Sequence, residues 1–225
     1  MAAGRTVSYR ELHEGAARTA RRLAALGVGA GDRVATTLPP GIDFAELMHA
    51  LPLLGAVFVP LNTRDPHLSV EAALVVGEPL RAEQADVPLR AEVDPGEVQV
   101  VIHTSGTTAQ PKPVGLTYGN FHASAIASAW NLGVDPGDRW LCAMPLFHVG
   151  GLSILTRSAI YGTCAVIHER FDAGRMRESL ESGEATLVSV VATMLRRLRA
   201  AGLESAPALR AALVGGGPVP RDLLE

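Results

Sequence analysis

The sequence predicts an α/β fold of mainly parallel sheets covered by helices. Short apolar runs recur along the 225 residues, separated by stretches with helical spacing. The runs are apolar throughout rather than alternating, as strands buried on both faces are. The two stretches richest in glycine and hydroxyl groups, 104–108 and 215–218, each follow directly on such a run. In parallel sheets ligands gather at that carboxyl end.

Taken in order, Ser8 and Glu11 have capping-box spacing. Leu12, Ala16, Ala20, Leu23 and Leu26 then trace one apolar helix face, and Gly27 offers a stop. Arg18, Arg21 and Arg22 read as the solvated face of that helix. Gly31-Asp32-Arg33 turns into a strand at Val34–Leu38, a helix covers about Ile42–Leu54, and Ala56–Leu61 is a second strand. A further helix near Leu68–Leu74 leads to a short strand at Leu74–Val76, and Pro79–Asp86 reads as a connector. Val98–Ile102 is a buried strand. Beyond residue 116 the pattern predicts helices at Asn120–Asn131, Val149–Tyr161, Ala173–Ser182 and Thr193–Ala201. Strands are predicted at Trp140–Met144, Thr163–His168, Thr186–Val191 and Leu209–Val214.

Composition narrows the function classes. The chain is 48% hydrophobic and 19% charged with a net charge of −3, so no basic excess points to nucleic acid or an anionic membrane surface. The most apolar window, Ile42–Leu61, contains Asp43, Glu46, His49, Pro52 and Gly55, which argues for buried helix and strand rather than a membrane span. The N-terminus lacks the apolar core of a secretion signal. Cys142 and Cys164 each lie in a strand-like run and read as free buried thiols, which suits a cytoplasmic protein.

The stretch VVIHTSGTTAQPKPVGL, 100–116, carries the most chemistry. Thr104, Ser105, Thr107 and Thr108 supply hydroxyls around Gly106, and Lys112 follows between Pro111 and Pro113. Hydroxyls, backbone N–H groups and an ammonium are what a polyphosphate needs. The flanking prolines push the lysine out of helical conformations, so a loop is expected to present it. The nucleoside-triphosphatase loop is excluded, because it needs Gly before the lysine and Ser or Thr after it. Met144-Pro145-Leu146-Phe147-His148-Val149-Gly150-Gly151 ends a strand and opens a helix, with His148 followed by two glycines that let backbone approach a ligand. Gly215, Gly216, Gly217 and Pro218 allow close approach of a flat ligand, or form a plain strand-to-helix turn before Pro220. No His/Cys cluster has zinc-ligand spacing and no Gly-x-Ser-x-Gly elbow is present.

The 100–116 stretch resembles the phosphate-binding loop of the adenylate-forming (AMP-binding) superfamily, TSGTTGxPKGV, departing from it at Ala109 and Pro113. The run from Val98 to Glu225, PLFHVGGLSIL and SVVATML above all, is similar to the o-succinylbenzoate–CoA ligases of menaquinone biosynthesis. Thr6–Asn62 is similar only in general superfamily terms. The resemblance implies an ATP-dependent acid–CoA ligase that activates a carboxylate, o-succinylbenzoate, as an acyl-adenylate before thioester formation with coenzyme A. Another aryl- or fatty-acyl-CoA synthetase, or a non-catalytic nucleotide-binding module, stands beside it.

The resemblance further implies that Thr104, Ser105, Gly106, Thr107, Thr108 and Lys112 hold ATP phosphates. It gives magnesium to those phosphates with Thr108 beside it, the adenine to Gly215–Pro218, and the acyl pocket to His148, Gly150 and Gly151. Lys112 and His148 are the catalytic candidates. The family pattern continues into motifs and a C-terminal lid domain that cannot be matched here. The expectation is therefore a partial N-terminal domain over 1–225, with subregions of about 1–95 and 96–225. Alone it is expected to be inactive, with the missing C-terminal part contributed by another chain or a longer one.

Overall fold

The computed structural model describes residues 1–2, 4–65, 70–104 and 111–223. It is α/β, and its contacts divide the chain into two compact units, Val7–Ser124 and Met1–Thr6 with Ala125–Glu225.

The first unit opens with α1 (Tyr9–Ala25), started by the predicted capping box: Ser8 Oγ accepts from the Glu11 amide and Glu11 accepts from the Ser8 amide at 2.7 Å. Ala16, Ala20 and Leu23 are buried on its inner face, whereas Leu26 is exposed. Then come β1 (Arg33–Thr36), α2 (Ile42–Ala50), β2 (Val57–Pro60), β3 (Leu74–Val76), β4 (Val98–Thr104) and β5 (Lys112–Thr117). Pro52 tightens the end of α2 into a 3-10 turn at Leu51–Leu54, because a proline there has no N–H to continue the helix. The sheet order is β3-β1-β2-β4-β5, with β1 to β4 parallel and β5 antiparallel to β4. Phe44 of α2 meets Phe58 edge-on at 5.2 Å, which fixes the face of the sheet that the helices cover.

The second unit holds most of α3 (Tyr118–Leu132), then β6 (Arg139–Cys142), α4 (Val149–Tyr161), β7 (Cys164–Ile167), α5 (Ala173–Glu181), β8 (Leu187–Val191), α6 (Ala192–Ala200) and β9 (Ala211–Gly215). Its sheet is wholly parallel in the order β7-β6-β8-β9. Leu141, Val166, Met176, Leu180, Val188 and Leu198 form the core between sheet, α5 and α6. Buried Asp138 ties the strand starts together. It accepts from the Asp135 amide at 3.1 Å, Thr186 Oγ1 at 2.8 Å and Arg210 Nε at 3.1 Å, while Arg210 also donates to the Leu132 carbonyl at the end of α3.

Three expectations are corrected. Val70–Ala73 is not helical, because the Ala73 amide is already drawn to the Arg33 carbonyl at 2.8 Å on the approach to β3; Leu68 and Ser69 lie outside the described residues. Lys112 opens a strand rather than riding a loop. Arg21 and Arg22 are half-buried, and exposed Arg197 stacks over Phe171 at 4.7 Å. Contacts divide the chain inside α3, with β4 and β5 completing the first sheet. Among the described residues no helix is long and apolar enough to cross a membrane.

Candidate functional site

In the first unit the phosphate-binding candidates stand at the carboxyl end of β4. The β4–β5 ladder pairs Val101 with Gly115, Ile102 with Val114, His103 with Pro113 and Thr104 with Lys112. Thr104 Oγ1 donates to the Lys112 carbonyl at 3.4 Å. Both residues are exposed, so the hydroxyl and the ammonium are open to a ligand. Pro113 is tolerated because β5 is the sheet edge, where a missing N–H breaks no ladder. Ser105, Gly106, Thr107, Thr108 and Ala109 lie outside the described residues.

In the second unit the candidates sit in two turns at the carboxyl edge of the parallel sheet. β6 and β9 flank β8, so the turns that follow them are two strand spacings apart, roughly 10 Å. After β6, the chain folds back so that the His148 amide donates to the Pro145 carbonyl at 3.2 Å. His148 takes the N-cap position of α4 in extended backbone (φ −103°, ψ 145°) without a side-chain cap bond. Its ring rests tilted on Phe147 with centroids 4.4 Å apart. Partial burial holds its pKa below the usual histidine value, so the ring is neutral at pH 7.

The two glycines after it differ. A side chain at Gly150 would meet only the flexible Met144 Cε, at 2.7 Å. One at Gly151 would strike the Pro145 carbonyl oxygen at 2.5 Å and the Met144 carbonyl oxygen at 2.9 Å. The bare Cα of Gly151 therefore serves the packing of α4 onto the strand-end turn. Buried Cys142 Sγ contacts the Gly151 carbonyl at 3.6 Å, and burial pushes that thiol up to about 12, so it is inert. Both cysteines are free.

At the end of β9, Gly215 pairs with Val191 and the next residue turns left-handed, Gly216 at φ +81°. A Cβ on Gly216 would lie 3.0 Å from Val191 Cγ1, whereas one on Gly215 or Gly217 meets nothing within 4 Å. The outer two glycines face open space, as a flat ligand requires. Sequence reasoning passed over Thr193, exposed at the start of α6 after central strand β8 and between these turns. Its signal was position rather than residue type. Among the described residues no group of three or more His, Cys, Asp or Glu is placed to hold a metal.

The profile of the family described as AMP-binding enzyme matches residues 1–79 and 67–225. The chain belongs to that family. This AMP-binding enzyme chain is 40% identical over 248 residues to the 2-succinylbenzoate–CoA ligase of Geobacillus kaustophilus, covering 98% of this chain and 51% of that protein. It is similar to o-succinylbenzoate coenzyme A synthetase (MenE) from Bacillus subtilis in complex with AMP, with a TM-score of 0.92, 33% identity and coverage of 100% of this chain and 52% of that one. The same synthetase in complex with ATP and magnesium ion matches with a TM-score of 0.87 at 33% identity, over 99% of this chain and 52% of that one. The chain spans about half the length of the curated relatives it matches.

Proposed function

We propose that this chain supplies the ATP- and acid-binding part of an acid–CoA ligase that activates o-succinylbenzoate as its acyl-adenylate. The observation that carries the reading is the ladder that sets Lys112 opposite Thr104 at the carboxyl end of β4. The relatives named as ligases of this acid, and the neighbour holding ATP and magnesium, support the choice of substrates. A carboxylate oxygen of the acid attacks the α-phosphorus of ATP and pyrophosphate leaves. The coenzyme A thiolate then attacks the acyl carbon and AMP leaves.

Positioning and charge stabilisation dominate the first step. Thr104, with Ser105, Gly106, Thr107 and Thr108, holds the β- and γ-phosphates, and Lys112 offsets charge growing on the departing pyrophosphate. Gly215, Gly217 and Pro218 frame the adenine. Neutral His148 and Gly150 line the acid's carboxylate without adding charge. Magnesium would screen the phosphate charge, and Thr108 is the residue of this chain that would help hold it. Coenzyme A and the remaining catalytic groups meet the site through the other half of a longer or split enzyme. The reading puts the protein in the cytoplasm, which two free thiols and the need for ATP support.

In the full-length enzyme Lys112→Ala should lower kcat/KM for adenylation by about 100-fold while leaving the melting temperature unchanged, since the side chain is exposed. The 225-residue chain alone should bind ATP yet give no ATP–pyrophosphate exchange with any aromatic acid. Robust exchange would overturn the half-enzyme reading. Failure of ATP to bind the full-length protein would sink the ligase itself.

A further inference from the structure

We propose that the first unit carries a second ligand site, on the face of its sheet turned away from α1 and α2, that takes a small monocarboxylate with an apolar body. Side chains alternate along a strand. Phe58 faces α2 and pairs with Val100, so Val59 and Val101 point to the reverse face, where they cluster with Ala35. The same alternation puts His103 and Pro113 on the reverse face and Thr104 and Lys112 on the other. A cavity of about 230 Å³ opens there, lined by Val59, Val101, Val70, Pro111 and Pro113, with Val70 packed against the valine cluster. It is smaller than the roughly 300 Å³ at which pockets for drug-sized molecules begin, which sets the size of the occupant.

Three polar groups line the cavity beside its valines and prolines: Arg33, Glu71 and His103. Among the described residues neither Arg33 nor Glu71 is in an ion pair, and His103 Nδ1 is buried without a hydrogen-bond partner. Burial and the neighbouring Arg33 lower the pKa of His103, leaving its ring neutral at pH 7 with Nδ1 unused. A carboxylate satisfies the guanidinium and accepts from the orphaned nitrogen when the neutral ring carries its proton on Nδ1, while an apolar body covers the two valines. Glu71 in the lining repels a second negative charge, which selects against dicarboxylates and phosphates. Val70 and Glu71 belong to the β2–β3 connection. The cavity lies on the opposite face of the sheet from Lys112, and it stands independently of the ligase reading.

The test is titration of benzoate into the isotopically labelled 225-residue chain, followed through backbone amide shifts, with benzyl alcohol and phthalate as probes lacking one charge or carrying one too many. Saturable benzoate shifts are expected at Arg33, Val101 and His103, with about tenfold weaker binding of the other two probes. Arg33→Met, at an exposed position, should weaken benzoate about tenfold, and Val70→Trp, which fills the cavity, should abolish binding. Excess ATP should leave the benzoate affinity unchanged. Absence of a saturable shift, shifts confined to the surroundings of His148, or unchanged affinity in Arg33→Met would each overturn the proposal.

Discussion

The two units solve the same problem differently. In the first, the candidate lysine is held in an antiparallel ladder on a sheet edge, and its neighbours in space are strand residues. In the second, the candidates gather at the carboxyl ends of two parallel strands, from the last residue of β9 and from the turn and first residues of α4. A ladder fixes a side chain by register. A turn fixes it by what the following helix packs against. The proposed phosphate contacts at Thr104 and Lys112 thus stand on backbone hydrogen bonds, while the proposed adenine and acid contacts depend on the core beneath α4 and α6.

Both tryptophans, Trp130 and Trp140, belong to the second unit, so their fluorescence follows that unit alone while circular dichroism follows both. Asp138→Ala should have the largest effect, about 3–4 kcal/mol, because it strips a buried network of its shared acceptor. Denaturant melts followed by fluorescence should move well before those followed by dichroism; coincident curves would mean that the units melt as one.

Acid should test the first unit next. Burial, with His13 adding repulsion, lowers His49 to about 4. Above pH 6.5 both folded and unfolded states hold it neutral, so nothing changes. Between 6.5 and 4 the unfolded chain takes up a proton that the folded one refuses, and stability falls by up to about 3 kcal/mol. In His49→Leu the dichroism-detected acid slope should flatten, while the fluorescence-detected slope persists. Gly151→Ala should cost about 2 kcal/mol, because its Cβ has only fixed carbonyl oxygens to displace, whereas Gly150→Ala should be tolerated. Ser8→Ala, which opens the capping box of α1, should cost about 1 kcal/mol in thermal melts.

Legibility in the sequence follows the same divide. Parallel strands and helices were read almost throughout, α4 residue for residue, because long apolar runs and glycine stops are local signals. The β5 edge strand was not. Its residues, Lys112-Pro113-Val114-Gly115-Leu116-Thr117, hold a proline, a glycine and a charge, all poor strand formers, and only pairing with β4 makes them a strand. The missing helix before β3 failed for a like reason, since a backbone bond from Ala73 to Arg33 overrides local preference. Of the site, residue types were visible and their supports were not. Gly151, read as a ligand approach, also has a packing reason to be glycine, which only the position of Pro145 could reveal.

The hairpin register has a consequence for natural or engineered length changes. Adding or removing one residue between Lys112 and Gly115 would carry the ammonium through the sheet to its reverse surface, since side chains alternate with a period of two. Changing the number of residues between Thr104 and Lys112 would leave the ammonium aimed where it is now. An indel just after Lys112 should therefore turn the ammonium off its face, whereas one before it keeps that face and acts only through the proposed phosphate-binding residues themselves.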